Sequence, residues 1–411
     1  MNVDLYAALW SLPGSQRFLN RVIKALENGK SLWVLFPSPM MLQPFEKALL
    51  DLLKNEYFDI IDLQGCDTYA EMEILAGVFP HLETEINTEK WPLERIARES
   101  GGPTYILIRN FELLNANSRQ RWAQTVNDWG SVARRYAVNH SLCVFTTAEA
   151  ISGLEELLVE DVRLQVEYWY ATLSTSELGL LCRLVDEQTS LRAIWRQYLL
   201  PSLSSEDMEL MQYLWDAVFD PVDELTNALR NFAAERGWKP EEKELVINGW
   251  RPYPPLVKPV LRSQSMNLWS KGWLTYLPEN GEELHTALLA MLDKNSEIQH
   301  RIWRGQAALL LPMIDSIRVL ICEHLITDYG EGWPRMAGCK DVDSYIELGT
   351  LENILRNTPQ LRREKQQWLE VVMQARSLRN ELAHYTPVVF DEFARFWKQS
   401  TKVHQQLRRF I

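Results

Sequence analysis

Short apolar runs that alternate with amphipathic segments constrain the fold of the N-terminal part more than any other feature. Each run is seven residues long and is bounded by turn-forming residues, which is typical of strands buried on both faces. Helical spacing separates the runs, for example over residues 15–28 and 43–54. Alternating strands and helices predict a parallel sheet with helices on both faces. The predicted strands are SLWVLFP (31–37), YFDIIDL (57–63), YILIRNF (105–111) and LCVFTTA (142–148).

Helical patterns dominate the middle of the chain. Residues 162–170 indicate one further strand, at the edge of the sheet, and helices follow from Ser174 to about residue 235, with breaks at Pro201 and near Pro221. A proline-rich connection is expected over 239–261. Residues 268–292 then predict a helix end, a turn at Gly272, a two-stranded hairpin around Glu279-Asn280-Gly281 and another helix.

The last quarter of the chain predicts a helical bundle. Four or more apolar helices joined by short loops favour antiparallel packing. The first of them is either one long helix or two helices that meet at Pro312. The predicted helices cover residues 301–330, 348–359, 363–385 and 388–411.

Charge is unevenly distributed between these regions. The net charge of −12 argues against a general DNA-binding surface, because phosphate contacts need clustered Lys and Arg. Residues 296–411, however, hold 16 Lys and Arg against 14 Asp and Glu, whereas the rest of the chain holds 27 against 41. If any region binds RNA, the C-terminal one is therefore the better candidate.

Composition also indicates where the protein works. The five cysteines and seven histidines lack the spacing of disulfide frameworks or metal sites, so we predict neither a metal nor a cofactor. The first residues lack a secretion signal, and no apolar stretch is long enough for a transmembrane helix. We therefore expect a cytoplasmic protein without a membrane partner.

The strand and helix order over residues 1–170 resembles that of degenerate P-loop ATPases of the AAA or STAND type. An active site of that family needs a glycine-rich loop with Lys and Ser or Thr after the first strand. The corresponding loop here is PSPMMLQP (37–44), and Arg109 and Asn110 replace the acidic pair after YILIRNF. The resemblance therefore implies an ATPase-like scaffold that binds no nucleotide.

Two further segments resemble modules that accompany such ATPases. Residues 171–238 are similar to a helical lid, and residues 239–294 to a linker followed by a winged helix. Glu279, Glu282 and Glu283 flank the predicted wing and would repel phosphate, which favours a role in protein contact or packing.

The stretch RNELAH (379–384), late in the penultimate helix, resembles the signature of HEPN domains. Arg379, Asn380 and His384 match its arginine, polar residue and histidine, and the likeness extends over the helical bundle of residues 295–411. The parallel sheet of the N-terminal part and this helical bundle together give the fold class α/β plus all-α. Active HEPN domains are metal-independent endoribonucleases that face two motifs across a dimer cleft. The resemblance thus implies an RNA partner and either a homodimer or a hetero-complex.

The residue types suit this chemistry. RNA cleavage needs proton transfer at the 2′-hydroxyl and the leaving 5′-oxygen, which histidine can perform near neutral pH. Arg379 offers a fork of donors for phosphate oxygens, and Asn380, four residues before His384, can orient the histidine ring. Arg376 and Arg318 are additional RNA-binding candidates, although Arg318 could instead form an ion pair within the bundle.

Three functions remain open from the sequence; the third, against which the acidic wing argues, is a regulator that binds nucleic acid through the winged module. The first is a prokaryotic conflict or antiphage defence component that cleaves RNA with Arg379, Asn380 and His384. The second is a non-catalytic assembly or regulatory subunit that binds protein partners through both parts of the chain. A structural interpretation of the motif accompanies the second, because basic residues at a helix C-terminus interact favourably with the helix dipole. Trp303, Trp333, Trp368 and Trp397 are predicted as core and loop anchors rather than as platforms for RNA bases.

Overall fold

The computed structural model divides the chain into two compact units. We call the first the sheet unit (Met1–Leu181, Glu206–Gln212 and Glu241–His285) and the second the helical unit (Cys182–Ser205, Tyr213–Pro240 and Thr286–Ile411). The structure describes residues 5–79, 82, 90–99, 101–136, 140–158, 160, 162–186, 190–217, 222–239, 252, 255, 261, 263–337, 345–359, 361 and 365–408. Most of the predicted proline-rich connection and the predicted break near Pro221 lie outside the described residues.

A five-stranded parallel sheet forms the core of the sheet unit and confirms the predicted parallel arrangement. The strand order is β2-β3-β4-β1-β5, so the fifth strand lies at one edge, as expected. Within the sheet, Val34 of β1 lies between Phe145 of β4 and Glu167 of β5. Every residue of β1 and β4 is buried, which explains their unbroken apolar runs. The strands are β1 (Ser31–Phe36), β2 (Phe58–Asp62), β3 (Tyr105–Arg109), β4 (Ser141–Thr147) and β5 (Leu164–Tyr168).

Helices connect these strands in the predicted alternation. Helix α2 begins with a proline at its first position, where the missing N–H is not needed, and ends before Gly29, which adopts φ +69°. The helices that begin in the first 180 residues are α1 (Leu5–Leu9), α2 (Pro13–Glu27), α3 (Leu42–Leu53), α4 (Glu71–Gly77), α5 (Pro92–Ala97), α6 (Ala116–Tyr136) and α7 (Thr175–Val185).

The predicted hairpin is present. Strands β6 (Leu274–Leu277) and β7 (Gly281–Leu284) pair antiparallel, and Gly281 takes a positive φ of +81° beside the turn. Helix α11 (Ser263–Ser270) precedes the hairpin. The expectation that Glu282 lies on the surface of the hairpin was wrong, because this side chain is buried and accepts a hydrogen bond from the Tyr170 hydroxyl at 3.0 Å.

Long helices make up the helical unit. Its first long helix, α13, continues through Pro312 without a break, which settles the choice between one helix and two. Helix α8 likewise contains Pro201 and ends only at Ser204, so the predicted break at Pro201 was wrong. The helices are α8 (Leu191–Ser204), α9 (Met208–Tyr213, which starts in the sheet unit), α10 (Val222–Glu235), α12 (Thr286–Met291), α13 (Asn295–Tyr329), α14 (Leu348–Asn357), α15 (Gln366–Ala383) and α16 (Phe390–Arg408).

Helix α13 is the central element of this unit. It packs against α8, α15 and α16, and buries Ile302, Leu309, Ile317 and other apolar residues. Within the described part of the chain, no helix is long and apolar enough to cross a membrane. Trp333 and Trp368 are buried, as predicted for core anchors, whereas Trp303 and Trp397 are half-buried.

Candidate functional site

Helix α15 separates its apolar residues from the residues of the predicted motif. Its buried side chains recur every three or four residues and include Trp368, Ala375 and Leu382. Arg379 and Asn380 fall between these positions and are exposed. The core therefore fixes the rotation of the helix, and that rotation directs the motif to solvent.

The C-terminal end of α15 has a defined cap. His384 is the C-cap residue, and Tyr385 after it adopts a left-handed conformation with φ +57°. The N–H of Tyr385 donates to the Leu382 carbonyl at 3.2 Å, and the N–H of Thr386 donates to the Glu381 carbonyl at 3.0 Å. These two bonds form a Schellman motif, which normally has glycine at the left-handed position. The chain therefore leaves the helix at a fixed angle directly after His384.

The three motif residues lie together on this exposed end. The Arg379 guanidinium donates to the Asn380 amide oxygen at a long 3.4 Å, and no carboxylate among the described residues pairs with Arg379. The His384 ring is exposed and forms no hydrogen bond with any described residue. The expected orientation of the ring by Asn380 is thus not formed here. Arg379 and His384 remain available for an external ligand.

The two additional RNA-binding candidates have partners within the unit. Arg376 donates to the buried Glu352 at 2.9 Å. Arg318 donates to Asp315 at 2.7 Å and to the Ile346 carbonyl at 3.2 Å. Their positive charges are therefore partly balanced by neighbouring groups, whereas the charge of Arg379 is not.

Glu381 lies inside the motif and affects its charge. Burial raises the pKa of this carboxyl, and the nearby Glu392 raises it further, against a hydrogen bond from Ser377.

An aromatic cluster that the sequence analysis did not identify adjoins the motif. The rings of His300 and Trp303 stack with centroids 5.1 Å apart, and the Tyr385 ring lies 4.7 Å from that of Trp303. The Trp303 indole N–H donates to the Leu382 carbonyl at 2.7 Å. The sequence did carry a signal for this cluster. His300 and Trp303 are three residues apart and so share one face of a helix, and a tyrosine directly follows the motif histidine.

A buried glutamine holds the loop after α15 in place. The Gln306 side chain donates to the Val388 carbonyl at 2.8 Å and accepts from the Val388 N–H at 2.7 Å. Gln306 is one helical turn beyond Trp303 on α13, so the same face of this helix positions both ends of the loop that carries Tyr385. Two fixed points on either side of the loop limit the movement of His384 and Tyr385.

The carboxyl ends of the strands form the edge of the sheet where an ATPase would bind nucleotide. Here this edge carries a network of ion pairs and hydrogen bonds instead. Arg109, at the end of β3, donates to Glu46 at 2.7 Å and to Asp62 at 2.9 Å. The Asn110 amide donates to the second oxygen of Asp62 at 2.7 Å. Burial alone would raise the pKa of Asp62, but hydrogen bonds from the Gln64 N–H, Asn110 and Arg109 lower it overall. We call Glu46, Asp62, Arg109 and Asn110 the sheet-edge ion network.

The loop after β1 also differs from a phosphate-binding loop. Residues Pro39–Met41 form a short 3-10 turn, and the Ser38 hydroxyl accepts the Met40 N–H at 3.3 Å. Prolines at 37, 39 and 44 have no N–H to offer to a phosphate. The absence of nucleotide chemistry from this part of the chain stays a prediction.

Comparison with known proteins does not assign a family to the chain. No protein-family model matches it, and no curated protein is significantly similar to it in sequence. The functional interpretation therefore depends on the geometry described above.

Proposed function

We propose that the chain is a prokaryotic conflict or antiphage defence component that cleaves RNA without a metal ion. Its helical unit would act as a HEPN-like endoribonuclease, and its sheet unit as an ATPase-like scaffold without nucleotide. The observation that carries this proposal is the exposed end of α15, where no described carboxylate pairs with Arg379 and no described residue forms a hydrogen bond with the His384 ring. An exposed cation that no carboxylate pairs with, and an exposed histidine, are the groups that an incoming phosphodiester requires.

The proposed reaction is an internal transfer at phosphorus. The 2′-oxygen loses its proton to a base and attacks the adjacent phosphorus, and the bond to the 5′-oxygen breaks. The leaving 5′-oxygen takes a proton from an acid, so the products are a 2′,3′-cyclic phosphate and a 5′-hydroxyl end. His384 can accept the first proton, and Arg379 binds the phosphate oxygens that gain negative charge.

Two copies of the motif would complete the site. Positions five apart on a helix lie about 140° from each other around its axis, so Arg379 and His384 of one copy cannot both face the same phosphate closely. A second copy across a cleft would supply the acid for the leaving oxygen. A homodimer through the helical unit, or a hetero-complex with a similar subunit, follows from this requirement.

A non-catalytic assembly subunit is the second candidate. The sheet-edge ion network favours it, because a unit without nucleotide chemistry can still serve as a protein-binding scaffold. In that case His384 would contribute only to the end of α15 or to contact with a partner.

Cleavage of RNA in EDTA by wild type and His384→Ala separates the two functions. We expect wild type to produce 2′,3′-cyclic phosphate ends, and the variant to be slower by at least about 100-fold. Because His384 is exposed, its removal should leave thermal unfolding nearly unchanged. Equal cleavage by both proteins would contradict the proposal, and no cleavage by either would favour the assembly subunit.

A further inference from the structure

The aromatic cluster beside the motif has an exposed surface that the fold does not explain. Tyr385 is 63% exposed although it is a large aromatic residue, and His300 is exposed as well. Trp303 lies behind them and is half-buried. Tilted and stacked contacts join the three rings, with centroid distances of 4.7, 5.1 and 6.0 Å. The cluster therefore presents ring surface to solvent on a rigid support.

The backbone at Tyr385 indicates that the ring has a use beyond folding. A residue with φ +57° at the end of a helix is favourable for glycine and strained for tyrosine. The contact with Trp303 offsets part of this strain. Yet most of the ring remains in water, so burial in the protein core does not account for tyrosine at this position.

The support behind the ring is fixed by hydrogen bonds. The Leu382 carbonyl accepts from both the Trp303 indole and the Tyr385 N–H. The loop beyond is held by the bonds between Gln306 and Val388. Tyr385 is thus placed directly beside His384 in a defined orientation.

We propose that the Tyr385 ring, supported by Trp303 and His300, stacks on an unpaired RNA base next to the phosphate that His384 engages. A flat aromatic surface directly after the histidine that would engage the phosphate matches the chemistry of one nucleotide in single-stranded RNA. A base inside a duplex is already stacked and cannot reach the ring. The substrate class is therefore single-stranded RNA or an RNA loop. This inference rests on the proposed function, since it names the substrate of the same site.

Binding and cleavage are measured separately to test it. Binding uses the full chain and a fluorescently labelled RNA whose riboses are 2′-O-methylated, because this RNA lacks the free 2′-hydroxyl that cleavage needs. The same RNA is measured alone and annealed to its complement. Cleavage uses the unmodified RNA in EDTA.

Three variants isolate the ring. Tyr385→Gly removes it and suits the left-handed backbone, so this variant is expected to fold at least as well as wild type. Tyr385→Phe keeps the ring and loses only the hydroxyl. Tyr69→Ala removes a comparably exposed tyrosine, 58% exposed, from the sheet unit and serves as the matched control.

We expect wild type, Tyr385→Phe and Tyr69→Ala to bind the single strand with affinities within about twofold of one another. Tyr385→Gly should bind it at least about tenfold more weakly, and wild type should prefer single strand over duplex by a similar factor. Undiminished binding by Tyr385→Gly, no preference for the single strand, or no RNA binding by wild type would overturn the inference.

The cleavage assay distinguishes failure of the stacking inference from failure of the proposed nuclease function. Ring-dependent binding without any cleavage by wild type would support stacking and contradict the nuclease. Cleavage that depends on His384 but is unchanged in Tyr385→Gly would support the nuclease and overturn stacking.

Discussion

The sheet-edge ion network and the end of α15 are two polar clusters with opposite properties. In the network, Arg109 contacts two carboxylates, and Asp62 accepts from Arg109 and Asn110. At the end of α15, Arg379 has only a long contact with its neighbour, and His384 has no partner among the described residues. Side chains that satisfy one another stabilise a fold, whereas exposed and unpaired ones can bind a ligand at little cost to stability. The comparison therefore favours the end of α15 over the sheet-edge ion network as the place of the proposed chemistry.

Arg379→Ala should have the largest effect on activity. Unchanged cleavage by this variant would contradict the contrast between the two clusters. Removing the unpaired guanidinium takes away a phosphate-binding group, so we expect cleavage to slow by about 100-fold. Arg379→Lys keeps the charge but loses the fork of donors, and should recover only part of the rate. Initial rates of RNA cleavage provide the measurement.

Arg395→Ala is the matched control, because Arg395 is also an exposed arginine of the helical unit. A loss of activity as large in Arg395→Ala as in Arg379→Ala would indicate general charge attraction rather than a specific site.

Gln306→Ala should have the next largest effect, this time on stability. The change leaves the N–H and the carbonyl of Val388 buried without their partner, which is expected to lower the free energy of unfolding by about 2 kcal/mol. Urea denaturation of the full chain measures it. Gln367→Ala, at an exposed position where Gln367 accepts a hydrogen bond from Gln406, should change stability by less than about 0.5 kcal/mol. Equal stability of the two variants would show that Gln306 does not hold the loop.

Glu206, a carboxyl satisfied within the sheet unit, is expected to make the stability of the protein depend on pH. Burial raises its pKa to about 8, against the N–H groups of Leu173, Thr172 and Ala171, which lower it. The ordinary value is 4.5, so the folded protein binds the proton more tightly than the unfolded chain. The stability contributed is fully present below pH 4.5 and is lost as the pH rises through about 8.

We expect this loss to reach at most about 4 kcal/mol between pH 5 and pH 9, measured by urea denaturation at each pH. Glu206→Gln should remove this part of the pH dependence. An unchanged pH profile in that variant would exclude Glu206 as its source.

The sheet could be predicted from sequence because its signals are local. Strands β1, β3 and β4 are apolar runs whose residues are nearly all buried, whereas only Ile61 is buried in β2. The motif was also local, since Arg379, Asn380 and His384 fall within six residues. Burial of Glu282 was missed because its partner, Tyr170, is 112 residues away.

The residues that support both clusters could not be predicted either, because they too are far apart in sequence. Glu46, Asp62 and Arg109 come from three separate elements, and only the parallel register brings them to one edge. Trp303 was interpreted as a core anchor, because a single tryptophan on an apolar helix does not reveal which carbonyl its indole meets. The left-handed backbone of Tyr385 has no sequence signal, since glycine usually occupies that position.

One pair of variants tests the contrast between the two clusters most directly. Arg109→Ala leaves Glu46 and Asp62 without their cation and is expected to lower the melting temperature by a few degrees, with cleavage by the folded protein unchanged. His384→Ala is expected to melt within about one degree of wild type and to cleave RNA in EDTA at least about 100-fold more slowly. Measured side by side, loss of stability in the first and loss of cleavage in the second would support the assignment of chemistry to the end of α15. Full cleavage by His384→Ala, or loss of cleavage in folded Arg109→Ala, would contradict it.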